Sequence, residues 1–183
     1  NNTDLLVEEY RRLRTDKPLI IVGSARYPSE FSRWLEAQQD DKVRMLGGVY
    51  EADVLNALYR HSYAYLHGHE VGGTNPSLLR AMAASACCVA LDTGFSREVL
   101  GEHGLYFDRT PGAMAGVLQR LETDPAGAEA AGTALRERAF RAYDWQAVST
   151  GYAEVFRAMA QGRDPGQVYR PEDFAQAPPP LAP

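Results

Sequence analysis

The stretch YAYLHGHEVGGTNPSLLRAMAASACCVALD, residues 63–92, decides the fold. It opens on an apolar run, Tyr63 to Leu66, and closes on another, Cys87 to Leu91. Runs that are apolar without alternation belong to strands buried on both faces, as in a parallel sheet. Between them, Pro76 to Ser85 has helical spacing, and Gly72-Gly73-Thr74-Asn75 forms a loop before it. Strand, loop, helix and strand together make one βαβ unit.

The same unit recurs on either side. Thr3 or Asp4 is placed to cap a first helix through Leu5, Leu6, Tyr10 and Leu13, which Lys17-Pro18 terminates. Leu19 to Val22 then reads as a strand closed by Gly23. Ser29 to Gln39 reads as a helix with Phe31, Trp34 and Leu35 inward, and Val43 to Leu46 as a strand ended by Gly47-Gly48. Glu51 to His61 is a helix carrying Val54, Leu55, Leu58 and Tyr59. After residue 92 come a short helix from Ser96 to Leu100 and a strand from Gly104 to Phe107. Three helical segments follow, with apolar faces at Met114, Val117, Leu118 and Leu121, along 126–143, and at Val148, Tyr152, Val155, Phe156 and Met159. The expected class is α/β: a Rossmann-like open parallel sheet flanked by helices, with extra helices at the C-terminal end. Residues 1–162 make one such domain, and the Pro-rich residues 163–183 read as an extended or disordered tail.

Composition narrows the function classes. The chain has 183 residues, a 45% hydrophobic share and a net charge of −5, which suits a globular domain and not a nucleic-acid binder. The tightest basic cluster, Arg11-Arg12-Leu13-Arg14, reads as a solvated helix face. The only cysteines, Cys87 and Cys88, are adjacent, so in a strand they point to opposite faces and cannot readily bridge each other. Free thiols, with no secretory signal and no run long enough to span a membrane, point to the cytoplasm.

Ligands of open α/β sheets bind outside the carboxyl ends of the strands. Gly23, Gly47-Gly48, Gly72-Gly73 and Asp92-Thr93-Gly94 mark four such ends. The third is the most specific. Asn75-Pro76 sets an N-cap before a proline at the first helical position, and the helix dipole then faces the cleft. Unpaired N–H groups are expected at Ser77 and Leu78. Gly72 and Gly73 admit a ligand close to the backbone, and Thr74 and Ser77 add hydroxyls. The arrangement suits an anion such as a phosphate or diphosphate. The sequence has neither a P-loop nor a G-x-G-x-x-G signature here, and no carboxylate cluster for a metal. His67 and His69, beside Glu70, would need a third ligand to hold a metal, so contact with the anion is the preferred reading.

GGTNPSLLRAMAASACCVALDTGFSREVLGEHGLYF, residues 72–107, resembles the nucleotide-sugar-binding half of retaining GT-B glycosyltransferases of family 4, nearest to the bacterial rhamnosyltransferase-like members. A weaker likeness extends over residues 1–160. The resemblance implies a donor-binding domain for a nucleoside diphosphate sugar, with no metal or other cofactor. A glycan or lipid-linked acceptor would be bound by an N-terminal domain outside this chain. It implies no nucleic-acid partner and leaves no mark of membrane contact in this half, although peripheral placement at the inner membrane face fits such acceptors. It assigns Gly23, Ser24, Gly72, Gly73, Thr74, Asn75, Ser77 and Leu78 to the diphosphate and sugar, and Val49, Tyr50 and Arg80 to the nucleoside.

Two positions depart from the family pattern. A glutamate that binds ribose is replaced by Arg80, and the other family glutamate falls at Gly72, leaving Glu70 as the nearest candidate catalytic carboxylate. A carboxylate accepts from a diol whereas a guanidinium only donates. Arg80 is therefore open to three accounts: contact with the donor, loss of donor chemistry in a non-catalytic binding or scaffold homologue, or pairing with an acid such as Glu70 or Glu98. A GT-B-fold nucleotide-sugar epimerase is a further alternative.

Overall fold

The computed structural model describes residues 1–24, 27–164 and 166. Strand β4 (Cys88–Leu91) is the centre of the molecule, with every residue buried. It pairs in parallel with β3 (Tyr65–His67) on one edge and β5 (Leu105–Phe107) on the other. A second parallel pair is formed by β1 (Leu19–Val22) and β2 (Val43–Gly47), with Leu19 opposite Val43. The expected parallel α/β architecture is thus present, but its hydrogen bonding falls into two parts, and β1 and β3 do not pair with each other.

Helices cover the strands on both faces. On one face α1 (Thr3–Arg12) and α6 (Ala113–Thr123) bring Tyr10, Met114 and Leu118 against Cys87, Val89 and Leu91. On the other, α4 (Pro76–Ala83), α5 (Gly94–Leu100) and α7 (Pro125–Ala142) bring Leu78, Met82, Leu100 and Leu135 against Cys88 and Ala90. The adjacent cysteines therefore enter opposite cores, as strand alternation requires. Both are free. Burial pushes the Cys87 thiol up to about 11 and the Cys88 thiol higher still, so both are poor nucleophiles at neutral pH.

Two polar ties join the layers. Glu9 is buried, and its Oε1 accepts from the Gly112 amide at 2.8 Å and from Arg12 Nε at 3.1 Å, joining α1 to the start of α6. Arg138 of α7 donates to the carbonyl oxygens of Val99 and Glu98, satisfying the end of α5.

Several expectations need correction. The cap of α1 is Asn2, with a left-handed φ of 49° and no side-chain cap bond, not Thr3 or Asp4. Phe31 is 47% exposed on α2 (Glu30–Glu36) instead of inward. On α3 (Ala52–His61), Val54 is 50% exposed, and no residue of that helix is buried despite its apolar face. The apolar face of α8 (Trp145–Ala160) is open too, with only Ala158 buried. The tail assigned to residues 163–183 lies, beyond Asp164 and apart from Gly166, outside the described residues.

Helix α7 lies close against the turn between α4 and β4. A Cβ added at Gly132 would fall 2.1 Å from the Ser85 carbonyl oxygen, and Ser85 itself has a positive φ of 62°. Alanine is the better helix former by about 1 kcal/mol, but forcing the turn apart costs about 1–3 kcal/mol. Gly132→Ala is expected to lower stability in urea titration, whereas Ser85→Gly is expected to be neutral or stabilising.

Candidate functional site

The loop between β3 and α4 bounds a pocket of about 190 Å³. His67, His69 and Glu70 enter from the strand end, residues 72–76 from the loop, and Phe95, Ser96 and Val99 from α5. The pocket lies where strands β3 and β4 deliver their carboxyl ends, as the parallel topology dictates. Its volume is below the range of about 300–1,000 Å³ usual for small-molecule sites, which suits one end of a larger ligand.

Local chemistry explains the loop. Asn75 is the N-cap of α4: its Oδ1 accepts from the Ser77 amide at 2.9 Å and the Leu78 amide at 3.4 Å. The amides expected to be unpaired are therefore already used by the cap. The amides of Gly72, Gly73 and Thr74 have no hydrogen-bond partner among the described residues, so they stay available as donors. Gly72 has φ +129°, a conformation that disfavours any side chain, while Gly73 faces open space. Gly68 is tied down differently. Its carbonyl accepts from Asn2 Nδ2 at 2.8 Å, and a Cβ there would meet the Asn1 carbonyl oxygen at 2.7 Å. The start of α1 thus braces the strand end from behind.

The two histidines form one unit. Two residues apart on an extended segment, they point the same way, and their rings stack at 4.5 Å with 12° between planes. His67 is 3% exposed. The Nδ1 atoms of both rings are buried without a hydrogen-bond partner among the described residues. A buried polar atom left unpaired is costly, so these nitrogens are poised to meet a polar ligand. Burial, and then the neighbouring His69, holds the His67 imidazole down at about 4; burial lowers His69 as well. Both rings are therefore neutral at pH 7.

Glu70 stands at the rim, half exposed, with Oε2 2.6 Å from Arg109 Nη2. Asn2 Nδ2 is 3.5 Å from the same oxygen. Arg80 is exposed on α4, does not line this pocket, and forms no ion pair among the described residues. Of the three accounts of Arg80, pairing with Glu70 or Glu98 is not made among the described residues: Glu70 pairs with Arg109, and Arg80 reaches neither carboxylate. The remaining predicted residues are dispersed. Leu78 lines the pocket floor, whereas Ser77 faces a larger crevice beside β3. Gly23 and Ser24 follow β1, and Val49 and Tyr50 follow β2; none of the four borders the pocket. Tyr50 is 85% exposed and folds over Gly48. Asn2, Arg109 and the α5 wall were not anticipated from the sequence. Asp92-Thr93-Gly94 was the available signal for α5, since Thr93 caps it by accepting from the Ser96 amide at 3.1 Å.

The sequence pattern of the family described as "Glycosyl transferases group 1" matches residues 1–124, and the chain belongs to that family. It is 29% identical over 126 residues to glycogen synthase of Mycobacterium tuberculosis, covering 66% of this chain and 30% of the relative. Among solved structures, Anabaena HepE in complex with UDP-glucose superposes with a TM-score of 0.73 at 15% identity, over 86% of this chain and 45% of that one. Sucrose-phosphate synthase of Thermosynechococcus elongatus superposes at 0.72 and 20% identity, over 87% and 42%. These likenesses establish a GT-B type of fold, and the chain spans less than half the length of each of these proteins.

Two outcomes follow from the geometry. Below its ordinary value of 6.5 the unfolded His67 takes up a proton that the folded one refuses down to about 4. Unfolding therefore becomes easier as pH falls from 6.5 towards 4, by on the order of 3 kcal/mol in full. His67→Gln is expected to flatten the pH dependence of the urea midpoint across that window. For Glu70, the half-exposed pair with Arg109 is worth about 0–1 kcal/mol. Glu70→Gln is expected to leave the melting temperature within about 2–4 °C, so any loss of ligand binding would be a site effect.

Proposed function

We propose that residues 1–162 are the donor-binding domain of a retaining glycosyltransferase of family 4 type, which moves a hexose from a nucleoside diphosphate sugar to a glycan or lipid-linked acceptor. The observation that carries this reading is the pocket at the β3 end. It combines unpartnered amides at Gly72, Gly73 and Thr74, two neutral imidazoles with unpartnered Nδ1 atoms, and the dipole of α4. The diphosphate lies against the loop amides and the Thr74 hydroxyl, where the charge that grows as the nucleotide departs is stabilised. The sugar lies towards His67, His69 and Glu70, with Arg109 fixing the orientation of the carboxylate. Gly23, Ser24, Val49 and Tyr50 meet the donor from the β1 and β2 ends. Acceptor binding belongs to polypeptide outside this chain, so residues 1–183 alone bind donor weakly and turn nothing over.

A second reading is a nucleotide-sugar-binding homologue without transfer activity. Arg80 favours it, being exposed, unpaired among the described residues and placed where the family pattern has a ribose-binding carboxylate.

Calorimetric titration with nucleoside diphosphates and their hexose conjugates tests the assignment. Gly73→Asp adds a carboxylate in open space without a clash, so it is expected to weaken diphosphate binding by at least about tenfold at unchanged melting temperature. Arg80→Glu is expected to tighten nucleoside diphosphate binding. Binding that is indifferent to Gly73→Asp would remove the loop from the donor site.

A further inference from the structure

The pocket at the β3 end is short of positive charge for the ligand assigned to it. Among the described residues that line it there is no lysine and no arginine. Apart from the histidines its one acidic or basic side chain is Glu70, an acid already paired with Arg109. Loop amides and the dipole of α4 offer only partial charges to a diphosphate. The lining groups that can become cationic are the imidazoles of His67 and His69. Their geometry suits one proton and not two. The rings stack at 4.5 Å with 12° between planes, so an imidazolium lies over the face of a neutral ring, whereas two imidazoliums repel. His67 is the inner ring, 3% exposed and packed beside Tyr65 at 5.9 Å between centroids, while His69 is only partly buried. A charge costs less where water reaches it, so His69 is the ring to carry it. Parallel rings direct their in-plane lone pairs side by side, which does not suit joint chelation of one metal ion.

Building on the donor-site reading, we infer that His69 takes up a proton from solvent as the sugar nucleotide binds and stays an imidazolium against the diphosphate, with neutral His67 stacked on it. The proton fills the nitrogen that is bare in the neutral ring. It remains there while the bond between sugar and diphosphate breaks, and it returns to solvent when the nucleotide leaves. Its effect is largest in the transition state, where the departing diphosphate gains charge. The groups that face the pair permit this. Glu70 follows His69 on the same segment and favours a cation there, although Arg109, after β5, engages it. The Asn1 amino group, before α1, opposes a cation at His69. Tyr65 precedes His67 on β3, and burial keeps its phenol neutral. Strand β4 places Ala90 opposite His67, and α4 and α5 bring Asn75, Leu78, Phe95, Ser96 and Val99, none of them ionisable. Without an anion, burial and then the Asn1 amino group hold His69 below its ordinary value. An anion in the same small pocket raises it. Protons are therefore taken up on binding, and affinity rises as pH falls through the value of the liganded ring.

Nuclear magnetic resonance of the chain with UDP-glucose, TDP-glucose and GDP-mannose separates the outcomes, because these diphosphate diesters do not themselves titrate near neutral pH. Shifts of the Gly72, Gly73 and Thr74 amides report binding at the loop, and the imidazole Cε1–H signals report protonation. With a ligand that moves the loop amides, the His69 midpoint is expected to move to higher pH, while His61 and His103, which do not line the pocket, stay put. Affinity is expected to be at least about fivefold tighter at pH 5.5 than at pH 7.5, and His69→Gln is expected to abolish that difference. Loop shifts with an unmoved His69 midpoint would overturn the inference and leave the donor site standing. So would a pH dependence that survives His69→Gln, since the proton would then reside elsewhere. Loop amides that respond to none of the three ligands would remove the donor site, and the proton uptake with it.

Discussion

The structure depends on the burial of β4 from both sides. A strand with no solvent-facing residue needs a helix layer on each face, and this requirement brings α1 and α6 to one side and α4, α5 and α7 to the other. It also decides which loops meet. Because β3, β4 and β5 are parallel, their carboxyl ends gather on one side, and the loop before α4 lies against α5. The pocket is a by-product of that arrangement before it is anything chemical.

Chemistry enters through what the fold leaves unpaired. Asn75 silences the first amides of α4, so ligand donors shift one step back to the loop itself. The histidine pair is held neutral by the same burial that deprives its nitrogens of partners. A neutral imidazole can donate or accept one hydrogen bond at each nitrogen, according to tautomer. The pocket therefore offers direction more than charge, and the nearby guanidinium of Arg109 is engaged by Glu70.

Much of this was legible in the residues. The unbroken apolar runs announced parallel strands, Asn75-Pro76 announced the start of α4, and the cysteine doublet announced a strand facing two cores. What was misread has a common physical origin. Asn75 reads as a cap in the sequence, but a cap itself consumes the Ser77 and Leu78 amides that the helix start would otherwise offer. The Glu70–Arg109 and Asn2–Gly68 contacts join residues far apart in sequence, and no local periodicity encodes them. Phe31 and Val54 sit at positions whose spacing is inward, but spacing reports which face is apolar and not whether anything covers it.

The cysteine doublet has one more consequence. Cys87 and Cys88 are neighbours in the chain, yet each belongs to a different core. Neither thiol can be reached until its own helix layer lifts away. The pair is thus a built-in differential reporter, in which the order of thiol modification under mild denaturation reads out which face of the sheet opens first.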